Sequence, residues 1–260
     1  MGTEHTQVCC VLTGDWPGSD AQTRARHPDL GVHYVKTLVS MLQRLAPATL
    51  NWSFWCFTDR PKEAFGDERI NVCPIPKLWS YFAKLWLFSP AAFPTNSRVL
   101  FFDLDTCVVR DWSPLTEVPL EKPVMLRDLW GPRLPASGIM SWKATSDTQR
   151  IWNDFWPQSA ARSPYTHPHP RKVEFARAEG IRTDEEWLYH YLLPNDWAAW
   201  QDLLPNSFLS YKYHVIRTMR ANGASLPALT PEQFKAARVV YFHGRPRPHE
   251  VRAPWNPFCA

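Results

Sequence analysis

Apolar residues in this chain fall into short runs separated by polar, proline-bearing connections. Gln7–Thr13 (QVCCVLT) is continuously apolar, the pattern of a strand buried on both faces, and it stops at Gly14-Asp15. Asp15–Asp29 is a polar loop with Pro17, Gly18 and Pro28, and it carries Arg24, Arg26 and His27. From Gly31 the pattern changes period. Val32, Val35, Leu38, Val39, Leu42 and Leu45 recur at helical spacing until Pro47 ends the run. Trp52–Thr58 (WSFWCFT) predicts a second strand, closed by Asp59-Arg60-Pro61, and Ile70–Ile75 a short third. Strand, helix, strand at this spacing is a βαβ unit, which requires a parallel sheet.

The remaining segments extend that plan. Trp79–Phe88 predicts a helix that carries Lys84 and is stopped by Pro90 and Pro94. Arg98–Arg110 (RVLFFDLDTCVVR) holds two apolar strands with two aspartates between them. Val124–Leu126 is a short strand ending in Arg127-Asp128, and Ser137–Trp142 another, entered through Gly138. Asp147–Trp156 reads as a helix, followed by a proline- and histidine-rich loop, Pro157–Pro170. Asp184–Leu193 (DEEWLYHYLL) reads as a helix with acidic residues in its first turn, where the helix dipole favours them. Ser207–Val215 predicts an edge strand, Glu232–Ala237 a short helix behind Pro231, and Arg238–Phe242 the last strand. Neither an internal repeat nor a linker interrupts the chain. The expectation is one α/β domain over residues 1–260, with a mixed, mostly parallel central sheet flanked by helices.

Composition narrows the class. The 260 residues are 45% hydrophobic and 21% charged, which suits an ordinary globular chain with a full core. The 14 Trp can serve sugar or base stacking but more often pack in cores, and the 25 Pro imply long ordered connections. A net charge of +4 suits an anionic substrate without demanding nucleic acid. No run approaches the about 18–20 apolar residues of a membrane span. The amino terminus lacks the basic-then-apolar plan of a signal peptide. Four of the six Cys, Cys9, Cys10, Cys56 and Cys107, sit inside strand-like runs as small hydrophobes. A reducing cytoplasm is the expected location.

The chemistry concentrates at Asp103 and Asp105. Val99–Phe102 is a run for a strand buried on both faces, and such a strand has little use for charge, yet two carboxylates follow it directly. Side chains at i and i+2 of an extended segment point the same way. The pair would converge at the strand's carboxyl end, where open α/β sheets place their ligands. Converging carboxylates repel unless they share a proton or a cation, and a hard divalent ion suits their oxygens. A polar turn with solvated carboxylates is the plain alternative. His243, at the end of ARVVYF, offers a third ligand from another strand end of the same sheet, and a hydrogen-bonded surface histidine is its plain alternative. Two carboxylates and an imidazole suit Mn²⁺ better than Mg²⁺. Gly244, Arg245 and Arg247 add flexible backbone and two guanidiniums fit for phosphate oxygens.

A strand ending in D-x-D, a later S-G-x-M strand, a D-E-E helix start and a terminal H-G-x-x-R-P together resemble the GT-A glycosyltransferases. Within them the pattern looks most like glycosyltransferase family 8, the glycogenin and bacterial lipopolysaccharide galactosyltransferase group. The resemblance spans roughly Val8 to Pro248. It implies that Asp103, Asp105 and His243 hold Mn²⁺, with Mg²⁺ as the alternative, against the pyrophosphate of a nucleotide sugar. It puts Lys84 on the donor's phosphate or sugar, and Asp128 at an acidic position facing the donor sugar. Ser137 and Gly138 match a segment whose backbone approaches the sugar. Asp184 matches an aspartate that bonds the sugar hydroxyls, and Glu185 falls where many relatives carry glutamine. Leu104, between the two aspartates, and Gly244, beside the terminal histidine, join the donor-binding set. Arg247 stands where the family has a lysine, and Thr13 and Asp15 lie where nucleobase and ribose contacts are expected. One departure concerns the tail. The family separates its terminal His and Gly by two residues, whereas His243 and Gly244 are adjacent, so His249 becomes a second ligand candidate.

The activity implied is transfer of a sugar from a nucleotide sugar, a UDP-sugar by the resemblance, to an acceptor hydroxyl with retention of configuration. Asp128, Asp184 or Glu185 would stabilise the positive sugar of the transition state, and Glu185 could act as a nucleophile. The rival reading takes hhhhDxDT as the first motif of haloacid-dehalogenase-like phosphatases, with Asp103 as nucleophile. That fold opens with this strand and needs a later acidic pair for Mg²⁺, whereas here a whole βαβ unit precedes the motif. A surface glycan is the default acceptor. Arg162, Arg171, Lys172 and the terminal arginines also permit a hydroxylated base in phage-type DNA, extruded from its stack.

Overall fold

The computed structural model describes residues 4–13, 30–75, 80–129, 131, 134–155, 183–216, 230–242 and 244–259. The first βαβ unit forms as the pattern predicts: strand β1 (Thr6–Leu12), helix α1 (Leu30–Leu45) and strand β2 (Trp52–Thr58). Strand β3 (Ile70–Pro74) continues the sheet outward from β2. The chain then crosses back and places β4 (Arg98–Phe102) on the other flank of β1. The order is β3-β2-β1-β4, all parallel, so the direction of strand addition reverses between β1 and β4. A crevice at the carboxyl ends of two such strands is where open α/β sheets bind ligands. Three more strands complete the sheet: β6 (Val124–Arg127), β7 (Pro135–Lys143) and the two-residue β8 (Ala198–Ala199). Of the seven strands only β7 runs antiparallel to its neighbours, so the sheet is mixed and mostly parallel.

Alternation along β4 shows how the sheet builds two cores. Leu100 and Phe102 join α1 and β1's Val8, Cys10 and Leu12 on one face. Val99 and Phe101 pack on the other face against a helical segment, Ser80–Phe88, with helices α3 (Ser146–Phe155) and α4 (Asp184–Tyr191). Helix α2 (Pro114–Glu117) is a single turn with Pro114 in its first turn. The Ser80–Phe88 segment is helical as expected, but it winds as a tight 3-10 helix. Short helices α5 (Trp200–Leu203) and α6 (Pro231–Ala236) close the described elements; Thr230 and Gln233 form a capping box at α6.

Two expectations are corrected. The final apolar run does not join the central sheet: β10 (Val239–Tyr241) sits in a separate three-stranded sheet, between β5 (Thr106–Val108) and β9 (Phe208–Ser210). β5 is the strand that follows the two aspartates, so Asp103–Asp105 is where the chain leaves the large sheet for the small one. Nor is Ser207–Val215 one strand. Only Phe208–Ser210 is extended, and Tyr211–Val215 winds as a π-helical turn closed by the Ile216 N–H on the Tyr211 carbonyl, 2.9 Å.

Tryptophan serves the core where it can be seen: Trp112, Trp142 and Trp200 are fully buried. Trp112 ties the loop after β5 to α1, because its indole N–H donates to the Leu42 carbonyl at 2.8 Å and its ring meets Trp52 edge-on at 5.1 Å. Trp112→Ala should cost about 3–5 kcal/mol of unfolding free energy in urea titrations, with Trp112→Phe intermediate. A loss under about 1 kcal/mol for the alanine variant would contradict this packing role.

Candidate active site

The site begins where the sheets part. The Asp103 N–H donates to the Gly138 carbonyl of β7 (2.9 Å), and the Asp105 carbonyl accepts from the Phe242 N–H at the end of β10 (3.1 Å). The segment between is thus pinned from both sheets. Because the backbone turns at Leu104, the two carboxylates take different partners. Asp103 Oδ2 lies 2.6 Å from Lys84 Nζ, and Asp105 Oδ2 lies 2.5 Å from Arg247 Nη1. The Leu104 side chain between them is buried in the core.

Lys84 gathers the next residues. From the helical segment beneath β4 its ammonium also donates to Ser137 Oγ at 3.2 Å and lies 3.7 Å from Asp184 Oδ2. Asp184 is buried, and Glu185 beside it accepts from the Ser137 N–H at 3.1 Å. Both open α4, whose Thr183 caps it by accepting from the Glu186 N–H at 3.1 Å. A Cβ on Gly138 would stand 4.0 Å from Asp103 Oδ2, beside the carboxylate. Asp128 follows β6 and raises the pKa of Glu185, Tyr213 and Tyr241, which puts it within electrostatic reach of all three.

These charges determine one another. Withdrawal from solvent pushes the Asp103 carboxyl up to about 7, opposed by the Lys84 ammonium and reinforced by Asp105 and Asp184. Asp105 rises for the same first reason, held back by Arg247 and Lys84. Glu185 is raised by burial and by Asp184, against Lys84 and the Ser137 N–H. Burial works against the Lys84 charge too, yet Asp103, Asp184 and Glu185 outweigh it and hold its pKa far above the ordinary lysine range.

The expected site residues divide accordingly. Lys84, Asp103, Asp105, Ser137, Gly138, Asp184, Glu185 and Arg247 come together. Gly244 adopts a left-handed φ of 60° between β10 and Arg247, a conformation that glycine accommodates without strain. Thr13 directly follows β1, at its carboxyl end. Asp15 and His243 lie outside the described residues, as do Arg162, Arg171, Lys172 and the Pro157–Pro170 loop. His249, the second ligand candidate, has its Nδ1 2.6 Å from the Tyr34 hydroxyl, and its own N–H donates back to that oxygen at 3.2 Å. Among the described residues no group of three His, Cys, Asp or Glu side chains forms a metal site. Sequence reasoning missed Lys212. It lies in the π-helical turn, 3.6 Å from a Cβ placed on Gly244, within a run that reads as plain strand.

The raised Asp103 carboxyl makes stability depend on pH. Its folded pKa of about 7 exceeds the ordinary 3.8, so between these values the folded chain binds the extra proton. Stability therefore falls as pH rises through that window. In metal-free buffer Asp103→Asn should flatten the decline of urea-unfolding free energy between pH 4 and 7. The same slope in the variant would refute the assignment.

No family model matches the chain, and no curated protein matches it in sequence. Solved structures do match in fold. The galactosyltransferase LgtC, in complex with donor and acceptor sugar analogues, is 10% identical at a TM-score of 0.58, over 93% of this chain and 88% of that one. An active-site mutant of LgtC gives 11% and 0.59, over 97% and 94%. The glycosyltransferase GlyE of Streptococcus pneumoniae TIGR4 gives 12% and 0.55, over 96% of this chain but 57% of its own. The bifunctional enzyme WbbM matches at 0.57 and 11%, over 94% of this chain and 47% of its own. This chain therefore spans about half the length of the last two. The mixed sheet, its switch between β1 and β4, and these similarities together give the chain the GT-A fold expected from its motifs.

Proposed function

We propose that the chain is a metal-dependent glycosyltransferase that moves a hexose from a UDP-sugar to a glycan hydroxyl with retention of configuration. The observation that carries this is the position of Asp103 and Asp105. They stand at the switch point of a GT-A sheet, with Lys84 and Arg247 on their outer oxygens and the Asp184–Glu185 carboxylates alongside. Asp103 and Asp105 fit a hard divalent cation: both carboxyls are held above their ordinary pKa by loss of water, a condition that a bound dication relieves. They would hold Mn²⁺, with His243 as the third ligand implied by the family resemblance. Bound there, the ion would neutralise charge on a donor pyrophosphate.

The chain's own residues account for the rest. In transfer, the bond between the anomeric carbon and the phosphate oxygen breaks with its electron pair left on that oxygen. The acceptor oxygen bonds the anomeric carbon, and its proton passes to the departing phosphate. Arg247 and Lys84 are the cations near that developing negative charge, and in a partly dry site they act strongly. On the sugar side Asp184 is engaged with Lys84, whereas Glu185 is held in place by the Ser137 N–H. Glu185 is therefore the carboxylate assigned to the positive sugar, as nucleophile or as electrostatic partner. In LgtC the active-site mutant replaces a glutamine with glutamate, and the resemblance places Glu185 where many relatives carry glutamine. Asp128 takes the outer flank of the sugar.

The phosphatase alternative lacks support, because the D-x-D strand comes fourth in its sheet rather than first. A DNA-base acceptor would draw on Arg162, Arg171 and Lys172, which lie outside the described residues. A helix long and apolar enough to cross a membrane is absent among the described residues.

A thermal-shift panel of nucleotide sugars with and without Mn²⁺ tests the donor. A matched UDP-sugar at about 100 times its Kd should raise Tm by roughly 5 °C or more, with Mn²⁺ required. Asp103→Asn and Asp105→Asn should each remove nearly all transfer while leaving the fold intact by circular dichroism. Absence of a shift with every nucleotide sugar, or near-wild-type turnover in either variant, would end the proposal.

A further inference from the structure

Lys212 belongs to no motif, yet the fold brings it beside Gly244 and within electrostatic reach of Asp105 and Arg247. The π-helical turn that carries it is firmly held. Ser210 Oγ accepts from the Tyr213 N–H at 3.3 Å, the Ser210 N–H donates to His214 Nδ1 at 2.8 Å, and Tyr211 stacks on Phe242 with centroids 4.7 Å apart. Phe242 directly follows β10, two residues before Gly244, so this stack ties the π-helical turn to the backbone that leads into Arg247. The Lys212 ammonium, half-buried, thereby lies 3.6 Å from where a Gly244 side chain would begin.

The charge count at this end of the site is uneven. Lys84 is matched by Asp103 and Asp184, and Arg247 by Asp105. Lys212 makes no hydrogen bond or ion pair with the described residues, although burial and the Arg247 guanidinium both press against its charge and only Asp105 favours it. A second cation kept beside Arg247 and withdrawn from water is unfavourable by itself. It becomes favourable when an anion with several oxygens bridges the two. A lysine ammonium is a compact charge with three rotatable donors, well suited to non-bridging phosphate oxygens beside a planar guanidinium. Gly244, which has no side chain, keeps the space beside the Lys212 ammonium open.

We propose that Lys212 is a phosphate-binding residue of this site, which with Arg247 grips the sugar-bearing phosphate of a nucleoside-diphosphate donor across Gly244. This rests on the nucleotide-sugar reading above. The grip strengthens as the C–O bond breaks, because the added negative charge falls on that phosphate.

Calorimetric titration of the full chain with UDP, UMP and inorganic pyrophosphate, each with Mn²⁺, tests it. Lys212→Met should weaken UDP and pyrophosphate about tenfold or more, the scale of one lost charge-assisted hydrogen bond, and change UMP affinity little. Lys212→Arg should recover most of the loss, which a merely misfolded turn would not permit. Equal UDP affinity in wild type and Lys212→Met, or equal weakening of UMP and UDP, would overturn the role of Lys212. Failure of the wild type to bind UDP, UMP or pyrophosphate would instead overturn the donor reading, and this inference with it.

Discussion

Two backbone hydrogen bonds, from Asp103 N–H to the Gly138 carbonyl and from Phe242 N–H to the Asp105 carbonyl, clamp three residues between two sheets. That clamp is the constraint on which the site depends. It brings a carboxylate pair to the end of a strand whose other residues are all buried or nearly so. The cost of holding them there is relieved by cations from opposite directions, Lys84 from beneath the large sheet and Arg247 from beyond the small one. Neither cation is a neighbour of the aspartates in sequence; each is delivered by its own sheet.

The division of partners has a chemical consequence. Lys84 contacts Asp103, Ser137 and Asp184 at once, so it braces one side of the crevice. Arg247, with Lys212 nearby, makes the opposite side cationic. A site with cations at one end and carboxylates at the other suits the charge separation of the transfer proposed above. The same partition explains the direction of the carboxyl shifts, because both sides lose water while only part of their charge is balanced.

Glu185 illustrates how local and tertiary effects combine. Its place in the first turn of α4 is favoured by the helix dipole alone, as it is for Asp184 and Glu186. What distinguishes it is the Ser137 N–H, supplied by β7, 48 residues earlier in the chain. Helix chemistry would leave three acids equivalent, and one long-range hydrogen bond orients one of them toward the crevice.

Periodicity and residue type alone determined the βαβ opening, the doubly buried β4, the acidic helix start and the carboxylate pair after Phe102, because each rests on neighbours within a few residues. Lys84 and Arg247 were legible as site cations through the resemblance of short motifs, although their separate carboxylates were not. Tertiary structure decided the rest. The run RVVYF reads as a strand whichever sheet it joins, so only folding showed that β10 pairs with β5 outside the central sheet. FLSYKYHV has the composition of a strand, but the Ser210 cap and the Tyr211–Phe242 stack wind its second half into a π turn. Lys212 and the Tyr34–His249 contact followed from that folding and left no local trace. Sequence spacing records which side chains share a face of one element, and the position of a charge across a crevice depends on elements far apart in the chain.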